Sequence, residues 1–191
     1  MRDLPDLYLM RHGETAWNAE GRLQGALDAP LTPQGVRQAL WQAQLVISVE
    51  GTRLCSPQGR ARRTAELIWG EGRFRLDERL AEIGIGSFAG CLLSDLRRDE
   101  PDLFSGPPLA WYDRCPGGEG LEALARRCRQ MLKALSGPTL VVSHGITLRM
   151  LRLVALGQPM SHLAEDELRQ GAVHLVAAGR CRTLRHPEDR D

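Results

Sequence analysis

The 191-residue chain has almost no lysine: Lys and Arg together number 25, and all but Lys133 are arginine. Codon usage accounts for most of such a bias, and a few arginines remain for work that only a planar fork of donors can do. Net charge is nearly absent too, at +1, which excludes bulk attraction to nucleic acid or an anionic membrane. No CxxC pair occurs among Cys55, Cys91, Cys115, Cys128 and Cys181. An odd number without pairing spacing argues against a disulfide framework and a zinc site, and predicts reduced thiols. No stretch approaches the roughly 18 apolar residues of a membrane span, and the first residues lack the apolar core of a signal peptide. A cytoplasmic protein with no membrane partner is expected. Internal repeats and low-complexity tracts are missing.

What is present is ordinary for a globular domain: 42% hydrophobic and 26% charged residues, with enough length for one real core. A single domain over residues 1–185 is expected, followed by a polar tail, "HPEDRD" at 186–191, that should fray. Leu7 to Met10 reads as a short buried strand. After the loop "NAEGRLQGALDAPLT", Thr32 is a plausible N-cap and Pro33 suits the first helical turn. Val36, Leu40, Ala43 and Ile47 recur at helical spacing and mark the expected buried face. "TRLCSP" predicts a second strand, and Ala61, Ala65 and Ile68 a second helix. "FRLDERLAEIGIGSFAG" starts extended and dissolves into glycines. The stretch 101–120, rich in proline and glycine, reads as a long surface excursion of the kind used for lids or binding loops.

Leu121, Leu124, Ala125, Cys128, Met131, Leu132 and Leu135 line one face of a helix. "TLVVSHG" is a continuous apolar strand, as in a sheet covered on both faces. A helix over Ile146–Leu156 and two closing strands, "AVHLVAA" and "CRTLR", complete the chain. Strands alternating with helices predict a three-layer α/β/α sandwich with a mostly parallel sheet. The active site of such a sheet lies beyond the C-terminal ends of its strands. Two strands here end in His-Gly, at His12 and His144. Glycine lets the backbone turn and a ligand come close, and the helix that follows offers unpaired N–H groups to an anion. With Arg11 beside His12, and Arg60 just after the second strand, these groups describe a pocket for a dianion, phosphate before others.

The ordered set "LYLMRHGETAWN", "GRLQGALDAPLTPQGVRQA", "CSPQGRARRTAELI", "RLAEIGIGSFAG", "CPGGEGLEALARR" and "VVSHGITLRML" resembles the histidine phosphatase superfamily, the phosphoglycerate mutase-like proteins. The resemblance runs over about nine tenths of the chain. It implies that His12 is a nucleophile transiently phosphorylated, that Arg11, Arg60 and His144 hold the phosphoryl oxygens, and that Glu82 is the general acid and later the base. It offers Thr15, Asn18, Gln24 and Gly145 as further substrate-binding groups. Arginine clamps can replace magnesium, so no metal and no cofactor is expected.

"IGIG" after Glu82 and the short interval to His144 favour a phosphatase over a cofactor-dependent phosphoglycerate mutase. "PLTPQGVRQA" and "PGGE" resemble the small bacterial phosphatases, including α-ribazole-5′-phosphate phosphatases. That branch usually has serine where Gly120 stands, so a lost helix N-cap and a looser lid are expected. Phe104, Trp111 and Tyr112 of the 101–118 loop are candidates for substrate choice, Trp111 equally for pinning the loop to the body. A small phosphomonoester is the expected partner, with a monomer or homodimer. The competing readings are a catalytically weak phosphate-binding module and a metal hydrolase built on His12 and His144.

Overall fold

The computed structural model describes residues 4–165 and 168–189. In chain order its main elements are β1 (Leu7–Arg11), α1 (Ala16–Ala19), α2 (Pro33–Leu45), β2 (Thr52–Cys55), α3 (Gly59–Trp69), β3 (Arg75–Leu76), α4 (Leu93–Asp99), α5 (Leu121–Lys133), β4 (Thr139–Ser143), α6 (Gly145–Ala155), β5 (Val173–Ala177) and β6 (Arg180–Leu184). The six strands form one sheet in the order β3-β2-β4-β1-β5-β6. β1, β4, β2 and β3 run parallel to one another. β5 and β6 close one edge antiparallel.

Period-2 alternation divides the sheet between two layers of helices. Leu7, Leu9, Leu54 and Val141 face Leu124, Cys128, Met131 and the apolar residues of α6. Met10, Cys55, Leu140 and Val142 face Ala61, Ala65 and Trp69 of α3, with Val46 beyond α2. β4 is buried at every position, which explains its unbroken apolar run. The result is the expected three-layer α/β/α sandwich.

Three local expectations need correction. α2 starts as predicted, with the Thr32 side chain accepting from Gly35 N at 3.0 Å. Its inner face, however, is Gly35, Ala39 and Gln42, not Val36, Leu40, Ala43 and Ile47; Leu40 is 45% and Ile47 85% exposed. The inner face meets backbone rather than side chains. A Cβ on Gly35 would overlap the carbonyl oxygen of Glu14, and one on Gly13 the carbonyl of Gly35. Gln42 Nε2 donates to the carbonyls of Arg11 and Ala172, both at 3.0 Å. Small and polar residues are what such a contact needs, so the apolar stripe points elsewhere.

The second correction concerns Gly120. It has φ +76° and ψ 157°, a region closed to side chains. The cap comes instead from the loop: Asp113 Oδ1 accepts from Leu121 N at 2.6 Å. Glu119 adds a two-pronged pair with Arg127, at 2.6 and 3.0 Å. The end of the excursion is therefore anchored. Within it, turns at Pro101–Phe104 and Ala110–Arg114 are 3-10 helical. Trp111 is buried, 5.4 Å from Phe104 and 3.9 Å from Tyr112 between ring centroids, and belongs to the core beneath α5.

The third concerns the tail. Residues 186–189 fold back on α2 instead of fraying. The His186 ring stacks on Trp41 with centroids 5.7 Å apart, and His186 Nε2 lies 2.8 Å from Gln44 Oε1. Residues 190–191 lie outside the described residues.

All five cysteines are free, and burial pushes the thiols of Cys55, Cys128 and Cys115 up. No helix among the described residues is long and apolar enough to cross a membrane.

Candidate active site

β1 and β4 are parallel neighbours with Arg11 opposite Ser143. The residues one step further, His12 and His144, therefore emerge side by side. His12 N donates to Ser143 O at 2.9 Å, and the two ring centroids are 5.1 Å apart. Both histidines are buried. A cavity of about 180 Å³ is lined by His12 with Arg11, Asn18, Arg60, Glu82 and Gly145; His144 touches His12 but is not itself in the lining.

His12 Nδ1 lies 2.8 Å from the carbonyl oxygen of Gly13. A carbonyl only accepts, so Nδ1 carries the proton and Nε2 keeps its lone pair. Burial, then the charges of Arg60 and Arg11, hold the imidazole well below its ordinary pKa, against a smaller opposing effect of the Gly13 bond. The ring is neutral near pH 7. His144 is also pushed far down, by burial and then by Arg60, His12 and Arg11. Its Nε2 is 2.7 Å from Ser56 Oγ. Its Nδ1 is buried without a hydrogen-bond partner among the described residues.

Arg60 opens α3 and is fixed by the preceding loop. Its Nη1 donates to Leu27 O and Asp28 Oδ1, both at 2.7 Å, and Nη2 to Gly25 O at 2.9 Å. Asp28 also caps α3 by accepting from Gly59 N at 2.7 Å and Arg60 N at 3.2 Å. Arg60 Nε stays buried with no partner among the described residues. Arg11 lies against α6, where a Cβ on Gly145 would stand 3.5 Å from its guanidinium carbon. That is an ordinary contact, so Arg11 does not itself demand a glycine there.

Glu82 sits at the N-terminus of α6. Oε1 accepts from Ile83 N and Thr147 N, each at 3.0 Å, with Thr147 Oγ1 as near. Among the described residues Oε2 accepts only from Ile146 N, at 3.2 Å. The carboxylate is thus held by one oxygen, with the other lightly engaged beside the cavity.

Asn18 and Thr15 form a reciprocal capping box on α1, with Thr15 N to Asn18 Oδ1 at 3.1 Å and Asn18 N to Thr15 Oγ1 at 3.2 Å. Gln170 Nε2 also donates to Asn18 Oδ1, at 3.1 Å. Both bonds fix the Asn18 carbonyl end inward, which leaves its NH2 to the cavity. Thr15 does not line the cavity; its hydroxyl is used as a cap. Gln24 does line it, with a buried Oε1 that lacks a partner among the described residues. Of the loop aromatics only Tyr112 reaches the cavity, its phenol held protonated by burial and then by the nearby Glu82.

Several positioning groups escape the sequence reading: Asp28, Ser56, Gln58 and Gln170. Ser56 and Gln58 stand inside "CSPQGR", the segment that drew attention for Arg60, but nothing local tells which of its side chains turns inward. Gln170 also donates to His12 O at 3.1 Å. It comes from far along the chain, with no pattern to mark it. Arg22 and Arg149 line the outer cavity as well. Arg22 is held by Gly90 O at 2.6 Å and lies 5.7 Å from the centroid of the Trp17 ring. Among the described residues no group of three or more His, Cys, Asp or Glu could hold a metal ion, so the metal-hydrolase alternative has no donor set there.

Comparison with known proteins agrees with this geometry. Residues 7–186 match the model of the histidine phosphatase superfamily (branch 1). A Cronobacter sakazakii protein named "probable phosphoglycerate mutase GpmB" is 39% identical over 175 residues, covering 85% of this chain and 79% of that one. The structure of YhfR from Bacillus stearothermophilus superposes with TM-score 0.79 at 30% identity, covering 98% of both chains. The α-ribazole phosphatase of Shigella flexneri superposes with TM-score 0.78 at 28% identity, covering 95% of both. Sequence, fold and strand-end histidines converge on one assignment: the chain belongs to the histidine phosphatase superfamily.

Proposed function

We propose that this protein is a metal-independent phosphomonoesterase that hydrolyses a small-molecule phosphate ester through a phosphohistidine on His12. The observation that carries this reading is the His12 ring. It is buried and neutral, with Nδ1–H tied to Gly13 O and Nε2 left as a nucleophile among arginines. Arg11 and Arg60 balance the dianion, Arg60 with its unclaimed Nε, and the Asn18 NH2 adds a neutral donor. A hydroxyl of Ser56 donating to His144 Nε2 places a proton on Nδ1, which then binds a phosphoryl oxygen. Gln24 binds beside them. Gly145 leaves the start of α6 uncovered. Thr15 acts indirectly, through the capping box that orients Asn18.

In the first step Nε2 forms a bond to phosphorus as the ester P–O bond breaks. The departing alkoxide takes its proton from Glu82, whose lightly held Oε2 suits the transfer. In the second step the Glu82 carboxylate takes a proton from water as the water oxygen bonds to phosphorus. The P–N bond breaks, its electron pair returns to Nε2, and inorganic phosphate leaves. Positioning and charge neutralisation by arginine do most of the work that such a transfer asks of a protein.

The name of the 39%-identical relative supports a second reading, a mutase that returns the phosphoryl group to substrate. The experiment is rapid quench into alkaline detergent with an aryl phosphate radiolabelled in its phosphoryl group, followed by an acid wash to test lability, in parent enzyme and in His12→Ala. The expected result is an acid-labile phosphoenzyme and inorganic phosphate with the parent, and neither with the variant. A label retained by His12→Ala would move the nucleophile elsewhere. Conversion of 3-phosphoglycerate to 2-phosphoglycerate would favour the mutase.

A further inference from the structure

Glu82 is tethered almost entirely from one side of the cavity. Its carboxylate rests on α6, and the neighbouring carbonyls of Leu80 and Ala81 accept from Ser143 Oγ at 2.6 Å and Thr147 Oγ1 at 2.7 Å. All of these donors lie on β4 and α6, the arm that carries His144. Arg60 is tethered from the other side, by the carbonyls of the loop at 25–28. One carboxamide spans the two. Gln58 Oε1 accepts from Glu82 N at 2.8 Å, and Gln58 Nε2 donates to Gly25 O at 2.7 Å. Gly25 O is the same oxygen that receives Arg60 Nη2. The amide orientation is fixed, because one end meets an N–H and the other a carbonyl.

From this juxtaposition we infer that Gln58 is a positioning residue. It sets the distance between the proton donor Glu82 and the phosphoryl clamp of Arg60, by joining the Glu82 backbone to the carbonyl that Arg60 grips. The inference rests on the phosphatase reading and on Glu82 as its acid. A leucine at 58 has similar bulk but leaves the Glu82 N–H unpaired and cuts the link from it to Gly25 O, so the 25–28 loop keeps only its bonds to Gly59 and Arg60. Glu82 then loses its register with the bridging oxygen. A misplacement of this kind costs transition-state stabilisation rather than binding, and it costs most where the leaving group needs its proton.

The test is a double-mutant cycle of Gln58→Leu and Glu82→Gln on two aryl phosphates, phenyl phosphate with a poor leaving group and p-nitrophenyl phosphate with a good one. Gln58→Leu is expected to lose about tenfold in kcat/KM on phenyl phosphate and at most about twofold on p-nitrophenyl phosphate. In the Glu82→Gln background it should cost nothing more on either. Equal losses on both esters, or a loss that persists without the Glu82 carboxyl, would overturn the inference. Should Gln58→Leu fail to fold, Gln58→Met repeats the cycle; failure of both makes Gln58 a structural residue and also overturns it. The underlying reading fails separately and visibly: the parent enzyme would turn over neither ester, or Glu82→Gln alone would cost both esters equally.

Discussion

Two imidazoles buried beside two guanidinium groups are poised for nucleophilic chemistry and are a liability in acid. His12 and His144 both have folded-state pKa values far below the unfolded one. Above about pH 6.5 neither form binds a proton, and the pair is silent in stability. Below it the unfolded chain takes up protons that the folded chain refuses, so stability falls as pH drops, down to the folded-state pKa values. Thermal unfolding followed between pH 7 and 5 should therefore show a falling Tm, with a shallower slope in His144→Gln; parallel slopes would mean that His144 does not titrate in the unfolded state alone. The same two residues were the most legible in the sequence, because each stands at the end of an apolar strand with glycine after it. Ser56, Gln58 and Gln170 were not. Their contributions are hydrogen bonds to partners distant along the chain, such as Gln170 to His12 O, and such bonds leave no local periodicity.

At the scale of elements, α5 and α2 show when an apolar stripe can be trusted. α5 packs against side chains of the sheet and α6, and its stripe names its buried residues from Leu121 to Leu132; Leu135 alone falls beyond the helix and is partly buried. α2 packs against the backbone at residues 13–14 through Gly35, and against carbonyls through Gln42. A helix that docks on backbone hides its glycine and glutamine, and hydrophobic spacing then misleads. The α5 cap is a second case: the local motif has no capping side chain, and Asp113 supplies one from the preceding turn. Asp113→Ala should cost about 1 kcal/mol and lower Tm by about 2–4 °C for a domain of this size. Gly120→Ser should not rescue it, because position 120 has a backbone conformation that strains any side chain. Calorimetry on the single and double variants checks both statements.

For the molecule as a whole, alternating strands and helices were enough to expect a mostly parallel sheet between two helical layers. What the sequence concealed is how tightly the layers close at the catalytic edge. Gly13 and Glu14 interlock with Gly35 there: a Cβ on Gly13 would overlap the carbonyl of Gly35, and one on Gly35 the backbone of Glu14. Gly35→Ala should push α2 away from the end of β1, cost about 1–3 kcal/mol and lower turnover together with stability. Gly137→Ala is the control: nothing lies within 4 Å of a Cβ there, and both properties should stay near those of the parent. Equal behaviour of the two variants in unfolding and in p-nitrophenyl phosphate assays would remove the interlock from the account of the site.

The pairing of β1 with β4, residue against residue from Leu7–Thr139 to Arg11–Ser143, acts as a ruler. The apolar side chains along it, short of Arg11 and Ser143, can be exchanged for others of similar volume, since they fill the two cores. The number of residues cannot change. Deleting one residue within either strand would turn every later side chain to the opposite face, sending His12 or His144 into a helical layer and an apolar neighbour into the cavity. Length, more than composition, is what these two strands must keep for the site to form, and an inserted residue is tolerable only in the loops beyond them.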